Sequence, residues 1–428
     1  MSINFIKENN LDEIFFHQMS KIKSKKLGLA VSGGGDSLAL LILANRWAKN
    51  KKKELFVASV DHKLREESYK EINHVKNISK SLKIDFSILE IQNKIDGNIQ
   101  SSARKERYNL LSNWAKSKEL DIVLLGHNLD DQVETVFLRL FRGSGIDGLT
   151  GIFPQKVIND ITFFRPLLKI PRSELRDFLQ NLNIKWIEDK SNDDLKYDRI
   201  KIRKILKNFS KDFSIEKKRI SQVTFHMQRA QFYLNENLIE QASKIVIFHP
   251  HGDVDIDIYE FKKINYEIQL RLISSLLLWI SGKNYRSRFS HLEDFIKAIC
   301  SPFFKSRTLM GVIAIKYKNK ILMRRELDAI KNIKIIDLNS FKWESRWVLK
   351  INQKNLLQNL DNLTVQPIKN FSKNNIMFRD TKISQDVLKV SPGLFKNGRL
   401  ICVPLIKHGK SLEIIKYPNF DSFIKILS

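Results

Sequence analysis

The fold of the first part of the chain is decided by LGLAVSGGGDSLALLILANRW, Leu27 to Trp47. The apolar run Leu27 to Val31 is typical of a buried strand, and the residues from Ser37 onward have helical apolar spacing. Between them, SGGGDS (Ser32 to Ser37) has three consecutive glycines, whose missing Cβ atoms let the backbone approach an anion. Free amides and the dipole at a helix start favour a negative ligand. The stretch therefore predicts a phosphate-binding loop.

The loop differs from the two commonest nucleotide loops. It lacks the Lys-Ser/Thr ending of a Walker A motif and the spacing GxGxxG of a dinucleotide fold. An ordinary glycine-rich turn is the alternative. Asp36 and Ser37 follow the glycines directly at the end of a buried strand, and this favours a phosphate site over a simple turn.

The rest of the first half alternates β-rich apolar runs with helical patterns. Such alternation predicts a doubly wound α/β domain with a parallel sheet, whose ligands bind at the carboxyl ends of the strands. The further predicted strands are Leu55 to Val60, Ser87 to Ile91 and Ile122 to Gly126. The predicted helices are Ser37 to Lys49, Ser68 to Leu82, Gln100 to Lys118 and Asp130 to Phe141.

Composition limits the possible partners and location. With 428 residues, 43% of them hydrophobic, the chain can form several domains. We expect no membrane partner, because the first residues do not resemble a signal peptide and the most apolar stretch, Leu270 to Ile280, is short and interrupted. The two cysteines, Cys300 and Cys402, form no CxxC pair, so a reducing cytoplasm fits. The oligomeric state stays open.

The net charge points to a polyanionic partner. A formal charge of +27 attracts nucleic acid through phosphate neutralisation and counterion release. Lysine-rich solvated surfaces, as an AT-rich genome produces, are the alternative explanation of the excess. Charge therefore favours a nucleic-acid partner without establishing one.

Polar residues follow two of the predicted strands. In SVDHKLREES, Asp61 ends the second strand and would face the nucleotide crevice, with a turn cap as the alternative. In GHNLDDQVET, which begins at Gly126, Asp131 and Glu134 are three residues apart on one predicted helix. Their carboxylates can converge on one cationic ligand. Interaction with the helix dipole is the competing explanation of Asp131.

Two arginines lie on the predicted helix Gln100 to Lys118. Arg104 and Arg107 in SSARKERYNLL have helical spacing and could grip phosphates in a fork geometry that lysine cannot copy. Taken alone, the pair would more often be a solvated helix face.

These segments together resemble one known family. SGGGDS is similar to the SGGxDS loop of the N-type ATP pyrophosphatases, which split ATP between its α and β phosphates. Four further segments resemble the tRNA(Ile)-lysidine synthetases (synthases) within that superfamily, and the match covers most of Leu27 to Arg203. The family signatures are VDHxLR, ARxxRY, GHxxDDQxET with RGSGxxGLxGI, and WxEDxSNxDxxYxRNxIR, the last matched by KWIEDKSNDDLKYDRIKIRKIL. Ile200 departs from the usual Asn.

The resemblance implies roles for individual residues. It implies catalysis by Asp36, Asp131 and Glu134, without a division of labour, and placement of Mg²⁺ by Asp36. The implied ATP-binding residues are Ser32, Gly33, Gly34, Gly35, Asp36, Ser37, Asp61 and His127. The residues implied to contact lysine or tRNA are Arg104, Arg107, Asp131, Glu134, Arg199 and Arg203.

The resemblance also implies a reaction. ATP would adenylate the wobble cytidine of an isoleucine tRNA with a CAU anticodon, and free L-lysine would displace AMP to give lysidine. A tRNA-thiolating relative is the main alternative, but it needs persulfides or an iron-sulfur cluster, which two distant cysteines hardly provide. An amide-forming relative and a non-catalytic tRNA-binding protein are the others.

Domain boundaries follow from changes of pattern. We predict a catalytic domain over residues 1–210 and a mainly helical domain over residues 211–328, ending in a hairpin at Gly311 to Arg325. A small α+β domain over residues 329–428 would bind tRNA, as in longer family members.

Overall fold

The computed structural model describes most of the chain. The described residues are 2–61, 68–91, 99–188, 198–212, 216–283, 285–331, 333–334, 340–344, 346–352, 363–369 and 383–427. The chain divides into an N-terminal unit, Met1–Gln231, and a C-terminal unit, Phe232–Ser428. The three-part division expected from the sequence remains a prediction.

The N-terminal unit alternates strands and helices. Its strands are β1 (Lys26–Ala30), β2 (Glu54–Asp61), β3 (Asp85–Glu90), β4 (Ile122–Leu125), β5 (Gln155–Ile158) and β6 (Ile161–Phe164). Its helices are α1 (Ser2–Met19), α2 (Gly35–Lys51), α3 (Ser68–Ser81), α4 (Ile99–Ser117), α5 (Leu129–Leu140), α6 (Ile146–Leu149), α7 (Arg172–Asn181) and α8 (Asp198–Asp212). Helix α9 (Lys217–Ile245) begins here and continues into the C-terminal unit.

The sheet of this unit has the order β3-β2-β1-β4-β6-β5. Strands β1, β2, β3, β4 and β6 run parallel, and only β5 pairs antiparallel, with β6. The chain order reverses direction at β1, between β2 and β4, so a crevice opens at the carboxyl ends of β1 and β4. The doubly wound fold is confirmed, and every predicted element of this half lies within two residues of an observed one.

Helix α2 is the centre of the core. Its residues from Ser37 to Asn45 are all buried, and Trp47 is 2% exposed. The helix packs with Leu27 and Leu29 of β1 in one apolar cluster. This burial fixes the start of α2, and with it the glycine loop, against the sheet.

The C-terminal unit combines helices with antiparallel strands. Its helices after α9 are α10 (Ile258–Lys263), α11 (Tyr266–Ser281), α12 (Phe289–Cys300), α13 (Gln385–Val390) and α14 (Phe420–Ile424). Its first strands are β7 (Val246–Phe248), β8 (Val254–Asp257), β9 (Ser306–Leu309), β10 (Val312–Tyr317) and β11 (Lys320–Arg325). The later ones are β12 (Ile333–Lys334), β13 (Phe341–Trp343), β14 (Trp347–Ile351), β15 (Leu363–Pro367), β16 (Pro392–Lys396), β17 (Arg399–Cys402) and β18 (Leu412–Lys416).

The predicted hairpin is confirmed as β10 and β11, which pair antiparallel. Two short strands that the mainly helical pattern did not predict, β7 and β8, interrupt the helices before it and extend the hairpin's sheet to β7-β8-β11-β10-β9. The last part is α+β, as predicted, with the sheets β12-β15-β16-β17 and β13-β14-β18. Helix α14 returns to the helical core, where Phe423 is fully buried.

Candidate active site

The glycine loop has the backbone that its sequence predicts. Gly33 has φ +87°, a conformation that side-chain-bearing residues rarely adopt, and Gly34 precedes the first turn of α2. The Ser37 hydroxyl donates to the Gly34 carbonyl oxygen at 2.9 Å and accepts from the Ser32 backbone N–H at 3.2 Å. The loop is therefore held as a turn around the start of α2, where an anion is favoured.

Gly126 lets a second loop approach the first. A Cβ at Gly126 would lie 3.1 Å from the Ser37 Cα and 3.2 Å from the Asp36 carbonyl oxygen. A Cβ at this position would force the backbone at the start of α2 to shift by a few tenths of an ångström. The loop after β4, which carries His127 and Asn128, is thereby pressed against the start of α2.

Helix α5 begins at this loop with a capping box. The Asn128 side chain accepts from the Asp131 backbone N–H at 3.1 Å, and the Asp131 carboxylate accepts from the Asn128 backbone N–H at 3.0 Å. Asp131 thus uses Oδ2 to cap the helix and leaves Oδ1 for another partner. The capping contact shows a structural role for Asp131 at the start of α5, and its ligand role remains a prediction.

Arg172, at the first position of α7, joins the acidic residues. Its guanidinium donates to Asp36 Oδ2 at 3.2 Å through Nε, and to Asp131 Oδ1 at 3.0 Å through Nη2. Nη1 donates to Glu134 Oε1 at 3.3 Å. The three residues predicted to be catalytic therefore face one another around a single guanidinium, beside the glycine loop.

Glu134 is the most deeply placed of the three carboxylates. Its side chain is 2% exposed and also accepts from Arg203, with Nε–Oε1 at 2.5 Å and Nη2–Oε2 at 3.4 Å. Three carboxylates face two guanidinium groups here, which leaves one negative charge in excess. The net negative charge of the cluster favours a cationic ligand.

Burial changes the acid strength of the cluster. It raises the pKa of the Asp36 carboxyl, although the charge of Arg172 partly opposes it. Burial likewise raises the pKa of Asp131, again against Arg172. Burial lowers the pKa of Arg172, but the surrounding carboxylates outweigh it and hold this pKa above its usual value.

Asp130 has a structural role instead. One oxygen accepts from the Arg172 backbone N–H at 2.8 Å and the other from Lys217 Nζ at 2.5 Å. Burial raises the pKa of Asp130, but these partners outweigh it and the pKa is lowered. The carboxylate ties α5 to the starts of α7 and α9.

Other polar side chains of α5 also support the shape of this region. The Gln132 amide donates to the Ile152 carbonyl oxygen and to the Thr224 hydroxyl, both at 3.1 Å. Arg139 donates to the carbonyl oxygens of Gly148 and Gly151, at 2.8 and 2.9 Å. These side chains hold the segment from Gly148 to Ile152, and α9, against α5.

A basic group of side chains lies around His127. Burial and the positive charges of Arg165, Arg107, Arg104 and Arg199, in that order, lower the pKa of His127 to about 2. The imidazole is therefore neutral at physiological pH. The positive charges of these arginines favour an anionic ligand.

Tyr108 links the basic side chains. Arg165, which is 4% exposed, donates to the Tyr108 hydroxyl at 3.2 Å, and Arg104 lies 5.5 Å from its ring centroid. Burial raises the pKa of the Tyr108 hydroxyl, but the charges of Arg104 and Arg165 outweigh burial and lower it. Burial also lowers the pKa of the half-buried Arg107.

The remaining predicted residues have different surroundings. Asp61 ends β2, the neighbour of β1 at the crevice edge, and Arg199 is exposed on α8. Ile200, which replaces the usual Asn, is 7% exposed and belongs to the buried side chains. His62 and the signature residues Asp189, Ser191, Asn192 and Asp194 lie outside the described residues.

Sequence reasoning missed Arg172 and Arg165. Arg165 directly follows β6, and Arg172 follows Pro171 at the start of the next helix. The position of Arg165 is a signal, since residues directly after the carboxyl end of a parallel strand lie at the ligand-binding edge of the sheet. The position of Arg172 at the start of a helix gives no such signal.

Known proteins match the chain along nearly its whole length. The PP-loop domain family matches residues 6–209. A tRNA(Ile)-lysidine synthase of Orientia tsutsugamushi (strain Boryong) is 32% identical over 98% of this chain and 98% of its own length. That of Wolbachia pipientis wMel is 35% identical over 91% of this chain and 90% of its own. The chain belongs to the tRNA(Ile)-lysidine synthase family.

As a tRNA(Ile)-lysidine synthase family member, the chain is an enzyme, an ATP-dependent ligase with a PP-loop. Among solved structures it resembles a U34-tRNA thiolase from Methanococcus maripaludis, with a TM-score of 0.46 and 21% identity over 53% of this chain and 80% of the other. In the described part of the chain, no helix has the length and apolar character needed to cross a bilayer.

Proposed function

We propose that the enzyme adenylates the wobble cytidine of a CAU-anticodon isoleucine tRNA and attaches free lysine to C2 of the base. One observation carries the proposal: Arg172 touches Asp36 of the glycine loop and both Asp131 and Glu134 of the acidic turn. A nucleotide bound at the loop and an amine bound by Asp131 and Glu134 would lie no farther apart than the width of one guanidinium group.

The glycine loop would hold the phosphates of ATP that leave as pyrophosphate. The residues assigned to it are Ser32, Gly33, Gly34, Gly35 and Ser37, with Asp61 and the neutral His127 along the same strand ends. Backbone amides at the start of α2 would stabilise the charge that develops on the leaving group.

The first step makes the base electrophilic. The cytosine C2 oxygen attacks the α phosphorus, the bond to the pyrophosphate oxygen breaks, and the oxygen becomes part of a leaving group. The base must leave the loop stack to reach the crevice, which costs less in an unpaired anticodon loop than in a duplex. Arg104, Arg107 and Arg199 would hold tRNA phosphates around it.

The second step joins lysine. Its ε-amine attacks C2, the C–O bond breaks and AMP leaves. Because a free ε-ammonium has a pKa of about 10.4, it must first lose a proton. Asp131 and Glu134 would bind the ammonium, with Arg203 fixing Glu134, and a carboxylate of the cluster would accept the proton.

Mg²⁺ fits this site through a single protein ligand. Among the described residues, no group of three His, Cys, Asp or Glu side chains could hold a metal ion. Asp36, 27% exposed beside the loop, could supply one carboxylate while ATP phosphates and water supply the rest. Bound there, the ion would neutralise phosphate charge. The proposed substrates agree with a cytoplasmic location.

The sulfur-transfer alternative lacks an observation in its favour. The only two cysteines, Cys300 and Cys402, belong to the C-terminal unit, and burial raises the pKa of both thiols. A raised pKa opposes formation of the reactive thiolate.

The test uses ATP labelled at the α phosphate, labelled lysine and a CAU-anticodon isoleucine tRNA. We expect labelled AMP and one lysine joined to the tRNA, both lost in Asp36→Ala. Asp177→Ala, an exposed carboxylate on α7, is the matched control and should keep full activity. Sulfur incorporation, or AMP formation that is indifferent to lysine, would overturn the proposal.

A further inference from the structure

Arg172 contacts both proposed substrate sites at once. Its Nε donates to Asp36, in the nucleotide loop, while Nη1 and Nη2 donate to Glu134 and Asp131, in the acidic turn. The two groups of partners are separated by about a hundred residues in sequence. A ligand that takes the oxygens Asp36 Oδ2, Asp131 Oδ1 or Glu134 Oε1 must replace a hydrogen bond of this side chain.

In this arrangement the guanidinium is the cation of the amine site. The lysine ammonium is proposed to bind the same carboxylates, Asp131 and Glu134, and would compete with Arg172 for them. Glu134 would not be left without a charge partner, because Arg203 contacts both of its oxygens. Arg203 is therefore the fixed cation and Arg172 the exchangeable one.

The contacts of Arg172 fit an exchangeable role. Its side chain is 18% exposed, and its bonds to Asp36 and Glu134, at 3.2 and 3.3 Å, are longer than the 2.5 Å bond from Arg203. A guanidinium also presents paired N–H donors that match phosphate oxygens. ATP phosphates at the glycine loop would offer it a new partner next to Asp36.

We propose that Arg172 couples the two sites: the triphosphate of ATP draws the guanidinium toward the loop, and this frees Asp131 and Glu134 for the lysine ammonium. The inference rests on the proposed function and adds a coupling to it, in which bound ATP tightens the binding of lysine. Coupling between two binding sites is reciprocal, so ATP and lysine raise each other's affinity by the same factor.

The size of the coupling follows from the bonds exchanged. Lysine binding without ATP must displace two charge-assisted hydrogen bonds of Arg172, whereas with ATP present they are already broken. Site-to-site couplings of this kind are typically 5- to 150-fold. We expect roughly tenfold tighter lysine binding with ATP than without it, about 1.4 kcal/mol.

The experiment measures lysine affinity by titration calorimetry with the full-length chain. The CAU-anticodon tRNA is present throughout, with and without a saturating ATP analogue whose α–β bridge is a methylene group. We expect the analogue to tighten lysine binding roughly tenfold in the wild type. In Arg172→Gln without the analogue, lysine should bind as tightly as it binds to the wild type with the analogue present. The ratio of lysine affinities with and without the analogue should then fall to about one.

Two further variants make the result interpretable. Lys169→Gln removes an exposed cation just before α7 and should keep the wild-type factor. Arg172→Lys keeps the positive charge but lacks the paired N–H donors of the guanidinium. It should bind ATP, and the ratio of its lysine affinities with and without the analogue should be smaller than in the wild type. This variant keeps the test possible if Arg172→Gln fails to fold.

Equal lysine affinity with and without the analogue in the wild type would overturn the coupling, as would an unchanged factor in Arg172→Gln. Wild-type protein that binds the analogue and tRNA but takes up no lysine under any condition would instead contradict the proposed amine site. The two failures are therefore distinguishable.

Discussion

Replacing Glu134 by glutamine is the sharpest perturbation of the amine site. The side chain is 2% exposed and bonds to Arg203 and Arg172, so its position is fixed on both sides. Glutamine has nearly the same volume and can keep Oε1 as an acceptor. It removes one negative charge and turns the second oxygen into an N–H₂ donor, which would face Arg203 Nη2.

The magnitude follows from the bonds that change. A hydrogen bond to a charged group contributes about 1.5–3 kcal/mol. Loss of one such bond to the lysine ammonium, at about 1.4 kcal/mol per tenfold, predicts a rise of roughly 10- to 100-fold in the KM for lysine. The cost in stability should lie near 1.5 kcal/mol, the lower end of the range, because Arg203 is 32% exposed and can rehydrate.

The assay separates the two half-reactions. With labelled ATP and tRNA, the variant should adenylate the tRNA at near the wild-type rate, while lysine transfer requires far more lysine. Glu174→Gln, an exposed position on α7, is the matched control. A variant with normal KM for lysine but defective adenylation would refute the assignment of Glu134 to the amine.

Three other substitutions test separate parts of the account. Gly126→Ala should weaken ATP binding at least tenfold, because the new Cβ pushes the loop after β4 away from Ser37; titration with a non-hydrolysable analogue measures the effect. Gly145→Ala is the control and should not weaken binding, since no atom lies within 4 Å of its new Cβ. Equal effects of the two substitutions would contradict the close approach at Gly126. Because His127 has a pKa of about 2 when folded and 6.5 as its ordinary value, its contribution to stability is present above pH 6.5 and is lost as pH falls. The wild-type free energy of unfolding should therefore fall by about 1.4 kcal/mol more per pH unit below 6.5 than that of His127→Gln, and parallel curves would count against a buried neutral imidazole. Arg104→Gln should weaken tRNA binding, reduce the slope of log affinity against log salt by about one and leave the lysine affinity unchanged; an unaltered slope would exclude a phosphate contact.

Local patterns made the first half of the chain predictable from sequence. Strand β1, the glycine loop and α2 are contiguous, and the spacing of Asp131 and Glu134 fixes their common side of α5 wherever that helix lies. The glycine loop and the start of α5 lie close together because each follows the carboxyl end of a strand in the same parallel sheet.

Long-range contacts explain what the sequence left hidden. Arg172 and Asp36 are 136 residues apart, so no local pattern records their hydrogen bond. Strands β7 and β8 have three and four residues, too few for a clear alternation, and they are strands because β8 pairs with β11. A structural role for Asp131 at the start of its helix was visible from the helix dipole, but neither its capping contact nor its contact with Arg172 was.

The most direct measurement of the central claim is mass spectrometry of the anticodon nucleotide after incubation without lysine. With enzyme and ATP alone, we expect an adenylate attached to the wobble cytidine of the CAU-anticodon isoleucine tRNA. When lysine is added, lysidine should replace the adenylate and AMP should be released. An unmodified cytidine, or an adenylate that lysine does not displace, would contradict the central claim.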